Sequence, residues 1–196
     1  MSMETKSSNV PVAETGTVVI IERTDWKADT PKNVENMKVE KIENIVMTTT
    51  GTDICKTREE CSLRVKEIQE KDMSEGHPDI RYNFLVAEDG NVYEGRGWKV
   101  STKVSRKDGD QFSYLDGKCL YIAFIGPLDM TPSSEMFTAM SGLSSVGVDN
   151  DYIGREVKIV RIDGEKSHVY DVNLDEVLED DKSTKAYESY TVEARH

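Results

Sequence analysis

Short runs of apolar residues along the chain predict the strands of a sheet. Residues 18–21, 42–50 and 120–125 are rich in β-branched or aromatic residues. The run at 120–125 is apolar throughout, which is typical of a strand buried on both faces. Runs at 80–96 and 157–172 each surround an Asp-Gly pair, so both predict β-hairpins.

Two other segments predict helices. Residues 57–72 bring apolar side chains to one face at helical spacing, begin with a capping threonine and stop before Gly76 and Pro78. A second helix begins at Ser133, and one side of it is formed by Met136, Ala139, Met140 and Leu143. Strands interleaved with helices predict an α/β domain with a central mixed sheet flanked by helices.

The predicted domain lies between two polar ends of the chain. The chain has 196 residues, which is ordinary for one domain. Residues 1–16 predict a disordered arm, 17–173 the domain and 174–196 an acidic tail. No apolar run is long enough to span a membrane, and the first residues show no signal-peptide pattern.

The charge of the chain excludes two classes of partner. The formal net charge is −12. Nucleic acids and anionic lipid surfaces both require a basic footprint. We therefore expect neither as a partner.

Three cysteines leave two interpretations open. Cys55 and Cys61 are separated by five residues, and Cys119 lies in an apolar run. Either all three are buried thiols, or the first two form a short disulfide, which would indicate an oxidising compartment. Cys119 is better explained as a buried, inert thiol than as a nucleophile, because a nucleophile needs a neighbouring base.

Five blocks along the chain form a distinctive series. Residues 79–98 contain Tyr-Asn-Phe-Leu-Val, Asp-Gly and Tyr-Glu-Gly-Arg-Gly-Trp in one register. The other blocks are residues 21–28, 45–50, 55–73 and 122–126. In this order they resemble the peptidoglycan recognition proteins, a family of zinc amidases that cut the muramoyl–alanine bond and of receptors that only bind. The resemblance is strongest over 18–153, and it implies the amidase-like fold and a Cys55–Cys61 disulfide. After about residue 153 the chain departs from the family pattern, with a divergent C-terminal hairpin.

The zinc ligands of the amidases, two histidines and a cysteine, have no counterparts under this resemblance. Thr48, followed by Thr49, stands at the first histidine position. The nearest remnant of the second histidine block is 154–156, without a histidine, and no cysteine follows Cys119. The histidines of the chain are His77, His168 and His196, and none has metal-site spacing. We therefore expect no metal, no cofactor, no catalytic residue and no enzyme activity.

The resemblance also implies a ligand groove above the sheet. The groove candidates are Thr48, Thr49, Tyr82, Trp98, Lys103, Val104 and Tyr121. Tyr82 matches the tyrosine that assists catalysis in the amidases. Where the family has Gly-Ala-His, this chain has Thr102, Lys103 and Val104, and Tyr121 replaces a glycine. Asp72 stands at a position where the family has histidine.

Two functions follow as hypotheses. The first is a non-catalytic innate-immune receptor or co-receptor domain that binds peptidoglycan fragments or another peptidoglycan recognition protein. The second is a regulatory protein-interaction module that has lost peptidoglycan binding, and a groove filled by Tyr121 and Lys103 would favour it. We expect an extracellular protein or a receptor ectodomain; reduced, separate Cys55 and Cys61 would instead favour a cytoplasmic form.

Overall fold

A computed structural model describes residues 9–12, 16–164 and 166–179 of the chain. Its elements in chain order are β1 (Asn9–Val12), β2 (Gly16–Ile21), β3 (Ile42–Thr49), α1 (Arg58–Ser74), β4 (Phe84–Val86), β5 (Val92–Glu94), a 3-10 turn (Ser113–Leu115), β6 (Leu120–Phe124), α2 (Ser134–Asp149), β7 (Ile153–Asp163), β8 (Lys166–Asn173) and α3 (Leu174–Glu179). Among these described elements, no helix has the length and apolar character needed to cross a bilayer.

The strands form one mixed sheet in the order β1-β2-β5-β4-β6-β3-β7-β8. At its centre, β3 runs parallel to both β6 and β7. The C-terminal hairpin β7–β8 is antiparallel, and it extends the central sheet. The predicted α/β class with a mixed sheet and flanking helices is therefore confirmed.

The two long helices, α1 and α2, cover opposite faces of the sheet. Successive strand residues point to opposite faces, so Met47 packs with α2 whereas Val46 packs with α1. Both faces are buried, which explains why β6 is apolar throughout.

The first hairpin is shorter than its sequence pattern predicts. Its regular antiparallel ladder is limited to β4 and β5. Next to the ladder, the backbone carbonyls of Tyr82 and Asn83 accept from the N–H groups of Arg96 and Gly95, and the Asn83 side chain makes further bonds. The Asn83 Oδ1 accepts from the backbone N–H of Tyr121 at 2.8 Å, and Nδ2 donates to the carbonyls of Gly97 and Val100, each at 2.9 Å. This amide ties the hairpin to β6 and to the segment that follows it.

Helix α1 begins as the sequence predicts. The Thr57 Oγ1 accepts from the backbone N–H of Glu60 at 3.2 Å. The Glu60 carboxylate accepts from the N–H of Lys56, so only half of the expected capping box forms. Cys55 and Cys61 are joined by a disulfide across this helix start, as the resemblance implied.

Both predicted domain boundaries need correction. Residues 9–12, assigned to a disordered arm, form β1, because they pair antiparallel with the otherwise exposed edge of β2. Residues 174–179, assigned to the tail, form α3, and Leu174 at its start is fully buried. Gly16, the last residue of the predicted arm, begins β2. The rest of the predicted arm and tail, including His196, lies outside the described residues.

Reduction of the disulfide is expected to lower the free energy of unfolding by roughly 2–3 kcal/mol, because it frees a short loop in the unfolded chain. Urea denaturation with and without reductant measures this loss. The control is the double variant Cys55→Ala/Cys61→Ala, whose stability should not respond to reductant. Equal stability of oxidised and reduced wild type would contradict the prediction.

Candidate functional site

A groove of about 510 Å³ lies at the carboxyl ends of the central strands. Its position follows from the topology. Adjacent parallel strands β3 and β6 lead into α1 and α2, which cover opposite faces of the sheet. Chains that leave neighbouring strands in opposite directions open a crevice at the strand ends, where α/β proteins bind ligands. We therefore treat this groove as the candidate functional site.

The floor of the groove is formed by hydroxyl-bearing and apolar side chains. Thr48 pairs with Ala123 on β6, and its Oγ1 donates to the carbonyl of Ile162 on β7 at 3.5 Å. Beside them, the rings of Tyr82 and Tyr121 meet edge to face with centroids 5.0 Å apart. The floor is therefore shaped by packed side chains around one central threonine.

The two floor tyrosines remain protonated at neutral pH. Burial raises the pKa of Tyr82 to about 12, an effect that the neighbouring Arg81 cation partly opposes. Burial likewise raises the pKa of Tyr121 above its ordinary value. Both hydroxyls can therefore act as hydrogen-bond donors to a ligand.

Six of the seven predicted groove residues line the groove, and Trp98 does not. Trp98 lies on the α2 side of the sheet, where it stacks on Tyr152 at 5.1 Å and contacts Phe84 at 4.7 Å between ring centroids. It was mispredicted because its neighbours on that face come from β4 and from the turn before β7, which the motif does not show.

Tyr121 and Lys103 line the groove without filling it. Tyr121 packs into the floor and is only 8% exposed. Lys103 is exposed on the rim, and its Nζ is 3.1 Å from the Asp108 carboxylate. The blocked groove that would favour a regulatory module is therefore absent from the described structure.

The structure corrects the position assigned to the second histidine block. Because β7 pairs Ile153 with Ile42 and Arg161 with Met47, residues 154–156 lie at the far end of β3 from Thr48. Arg161 and Ile162 are the β7 residues near Thr48. Within the described ranges, no three histidine, cysteine, aspartate or glutamate side chains are grouped to hold a metal ion.

His77 is the one histidine of the described residues that lies at the groove. It is half-buried and lines the groove. Burial lowers the pKa of His77, and the Arg81 cation lowers it further. The imidazole is therefore neutral at neutral pH.

The lining of the groove is basic, although the chain is acidic. Its basic side chains are Arg81, Lys103, Arg106 and Arg161, and its acidic side chain is Asp163. Three of these cations were missed from the sequence, because they come from separate segments and the net charge of −12 conceals them. The lining therefore contains more basic than acidic side chains.

The acidic residues of the 101–118 loop hold its backbone. Asp116 accepts from the N–H groups of Val104 at 2.7 Å and Ser105 at 2.9 Å. Asp110 accepts in the same way from Arg106 at 2.7 Å. The Arg106 Nη2 then donates to the Gly164 carbonyl at 2.9 Å, which links this wall of the groove to the β7–β8 turn.

Cys119 is a free, buried cysteine directly before β6. Burial raises its pKa to about 12, so the reactive thiolate does not form at neutral pH. The prediction that Cys119 is a buried thiol is confirmed.

A mixed sheet with an open groove at the carboxyl ends of its central strands is typical of α/β domains that bind ligands. The sequence profile of the N-acetylmuramoyl-L-alanine amidase family matches residues 36–173. This chain belongs to that family, among its peptidoglycan recognition proteins. The match reaches residue 173, so the C-terminal hairpin lies inside the family region. The motifs alone had indicated a resemblance that ends near residue 153.

Relatives and solved structures agree on this assignment. Peptidoglycan-recognition protein 1 of Holotrichia diomphalia is 32% identical over 143 residues, which cover 72% of this chain and 68% of that protein. Bumblebee PGRP-SA superposes with a TM-score of 0.65 at 29% identity, covering 74% of this chain and 83% of that one. The ectodomain complex of peptidoglycan recognition proteins LCa and LCx bound to tracheal cytotoxin gives a TM-score of 0.64 at 28% identity, with coverages of 74% and 84%.

Proposed function

We propose that this chain is a non-catalytic recognition domain that binds peptidoglycan fragments, as a receptor or co-receptor in innate immunity. The observation that carries the proposal is the open groove of about 510 Å³ above Thr48 and Tyr82, with its basic lining. The fragments carry free carboxylates on their stem peptides, and these match the cations of the groove.

The surroundings of Thr48 support binding without cleavage. A hydrolytic zinc site needs three protein ligands and an open position for water, and the metal acidifies that water. Thr48 has Ala123 and Ile162 as its neighbours, and neither offers an imidazole or a thiolate. Tyr82 would then shape the floor and donate to a ligand, without a metal-activated water to assist.

The solved LCa–LCx complex supports the choice of ligand and of partner. That structure holds tracheal cytotoxin on two peptidoglycan recognition ectodomains. We infer by analogy that this chain binds a fragment alone or together with a sister recognition domain. The Cys55–Cys61 disulfide supports an extracellular or ectodomain location, because disulfides persist in oxidising compartments.

Calorimetry with purified muropeptides, with and without a signalling paralogue, tests the proposal. We expect saturable binding in at least one of the two conditions. Incubation with peptidoglycan and Zn²⁺ should release no free stem peptide. Absence of binding in both conditions would overturn the proposed function in favour of a regulatory interaction module, and zinc-dependent cleavage would overturn the non-catalytic assignment.

A matched pair of charge reversals locates binding in the groove. Lys103 on the rim and Lys158 on β7 are both exposed, and their Nζ atoms lie 3.1 and 2.8 Å from the exposed carboxylates of Asp108 and Asp171. Lys158 lies outside the groove lining. Lys103→Glu should weaken muropeptide binding by roughly fivefold, from added repulsion of the ligand carboxylates. Lys158→Glu should leave the affinity unchanged.

A further inference from the structure

A buried ion pair joins the end of α1 to the groove. Asp72 lies in the last turn of α1 and is 2% exposed. Its Oδ1 accepts from the Nε–H of Arg81 at 3.0 Å, and its Oδ2 accepts from the backbone N–H of Arg81 at 3.0 Å. Both carboxylate oxygens therefore hold the same residue.

Arg81 is held by further contacts. Its backbone carbonyl accepts from the Thr102 hydroxyl. Its guanidinium carbon lies 5.6 Å from the centre of the Tyr82 ring, a cation–π contact. The main chain, the Nε–H and one face of the guanidinium are thus all engaged. The orientation of Arg81 is established before any ligand arrives, which reduces the entropy lost on binding.

The part of Arg81 that these contacts leave for a ligand is its pair of terminal nitrogens. Arg81 lines the groove, and its side chain is 35% exposed. The terminal nitrogens of a guanidinium form a planar fork that matches the two oxygens of a carboxylate. Lys103 and Arg106, also in the lining, add positive charge to the same groove.

Helix stability does not account for Asp72. A carboxylate in the last turn of a helix faces the negative end of the helix dipole, which disfavours it. Burial of its charge costs further free energy, so an ion pair in this place is no better for stability than apolar packing. What the carboxylate does achieve is to direct Arg81.

We propose that Arg81 is the anchor for a ligand carboxylate in the groove, and that Asp72 is the positioning residue that aims it. The proposal rests on the proposed function, and it specifies the ligand class: muropeptides with a free stem-peptide carboxylate bind better than the same compounds with carboxamides. Asp72 lies at the end of α1 and Arg81 lies directly before Tyr82, so the fold brings the two charged groups together.

The experiment compares two forms of one muramyl tripeptide, with carboxyl groups free or converted to carboxamides, by calorimetry. Wild type should prefer the free form by about tenfold or more, the value of a charge-assisted bidentate contact. Asp72→Asn/Arg81→Gln removes both charges together, so it leaves no unpaired buried carboxylate, and it should bind both forms equally. Circular dichroism and a denaturation curve verify its fold.

Two single variants distinguish the orientation of Arg81 from the total positive charge of the groove. Asp72→Asn retains the arginine but loses its carboxylate partner, so the preference for the free form should fall while the carboxamide form binds as before. A merely structural role for Asp72 would weaken both forms alike. Lys103→Gln removes an exposed cation from the same groove and should keep most of the preference.

Equal affinity of wild type for both forms would overturn the proposal and leave the proposed function standing. Retention of the preference in Asp72→Asn/Arg81→Gln would also overturn it. If wild type binds neither form, the proposed function fails. An NMR titration with glutarate then tests separately whether Arg81 binds a carboxylate. A saturable shift of the Arg81 Nε–H signal would then support the carboxylate anchor, whereas no shift would overturn it.

Discussion

Replacement of Asp79 by alanine is expected to lower the free energy of unfolding by about 3–5 kcal/mol, because it removes one partner of a buried ion pair. Asp79 is 3% exposed. Its carboxylate accepts from both terminal nitrogens of Arg23, at 2.9 and 3.0 Å, and from Gln69 at 2.8 Å. The carboxylate thus joins the segment after β2, helix α1 and the approach to the first hairpin. Its loss would leave the Arg23 charge and the buried amide without this partner.

Urea denaturation followed by circular dichroism measures this loss. Arg155→Ala is the control, because its ion pair with Asp175 has side chains that are 66% and 40% exposed. Surface pairs of this kind contribute about 0–1 kcal/mol. A loss for Asp79→Ala no larger than that of the control would show that the buried pair does not stabilise the fold.

Gly95→Ala is expected to destabilise the protein by about 3 kcal/mol, since strain and lost hydrogen bonds add together. A Cβ at this position would lie 2.1 Å from the Tyr82 carbonyl oxygen, which is backbone and cannot rotate away. That oxygen accepts from the N–H of Arg96 at 2.9 Å, and the Gly95 N–H donates to Asn83 at 2.9 Å. To fit a methyl group, this end of the hairpin would have to separate and both bonds would weaken.

Gly154→Ala is the matched control for this substitution. A Cβ there would meet its nearest atoms at 3.5 Å, an ordinary contact distance. Its stability should therefore stay within about 0.5 kcal/mol of wild type. Thermal or urea unfolding of the two variants side by side makes the comparison. Equal effects would mean that the close approach at Gly95 relaxes without cost.

The secondary structure was predictable where local pattern and tertiary burial agree. Helix α1 begins after its capping threonine, and β6 is apolar because both faces of the central sheet are covered. The pattern was misleading at the chain ends. There the pairing of β1 with β2 and the burial of Leu174 depend on partners distant in sequence. Propensity alone does not encode such partners.

The groove was only partly predictable from motifs. Thr48, Tyr82 and Tyr121 were found because they lie in blocks that resemble the family. Trp98 was misplaced, although it ends the most distinctive motif of the chain, because a motif does not state which face of the sheet a residue occupies. Arg106 and Arg161 were missed because each lies in a segment that carries no motif.

The sequence by itself determined the family, the order of the strands and helices between the two chain ends, and the absence of histidine at Thr48 and Thr49. These are properties of residue identity and of local spacing. Only the tertiary structure decided that the groove is open, that four basic side chains meet in its lining and that Asp72 holds one of them, Arg81. The physical reason is that charge and shape at a site are sums over residues from distant segments, and only the folded chain brings those residues together.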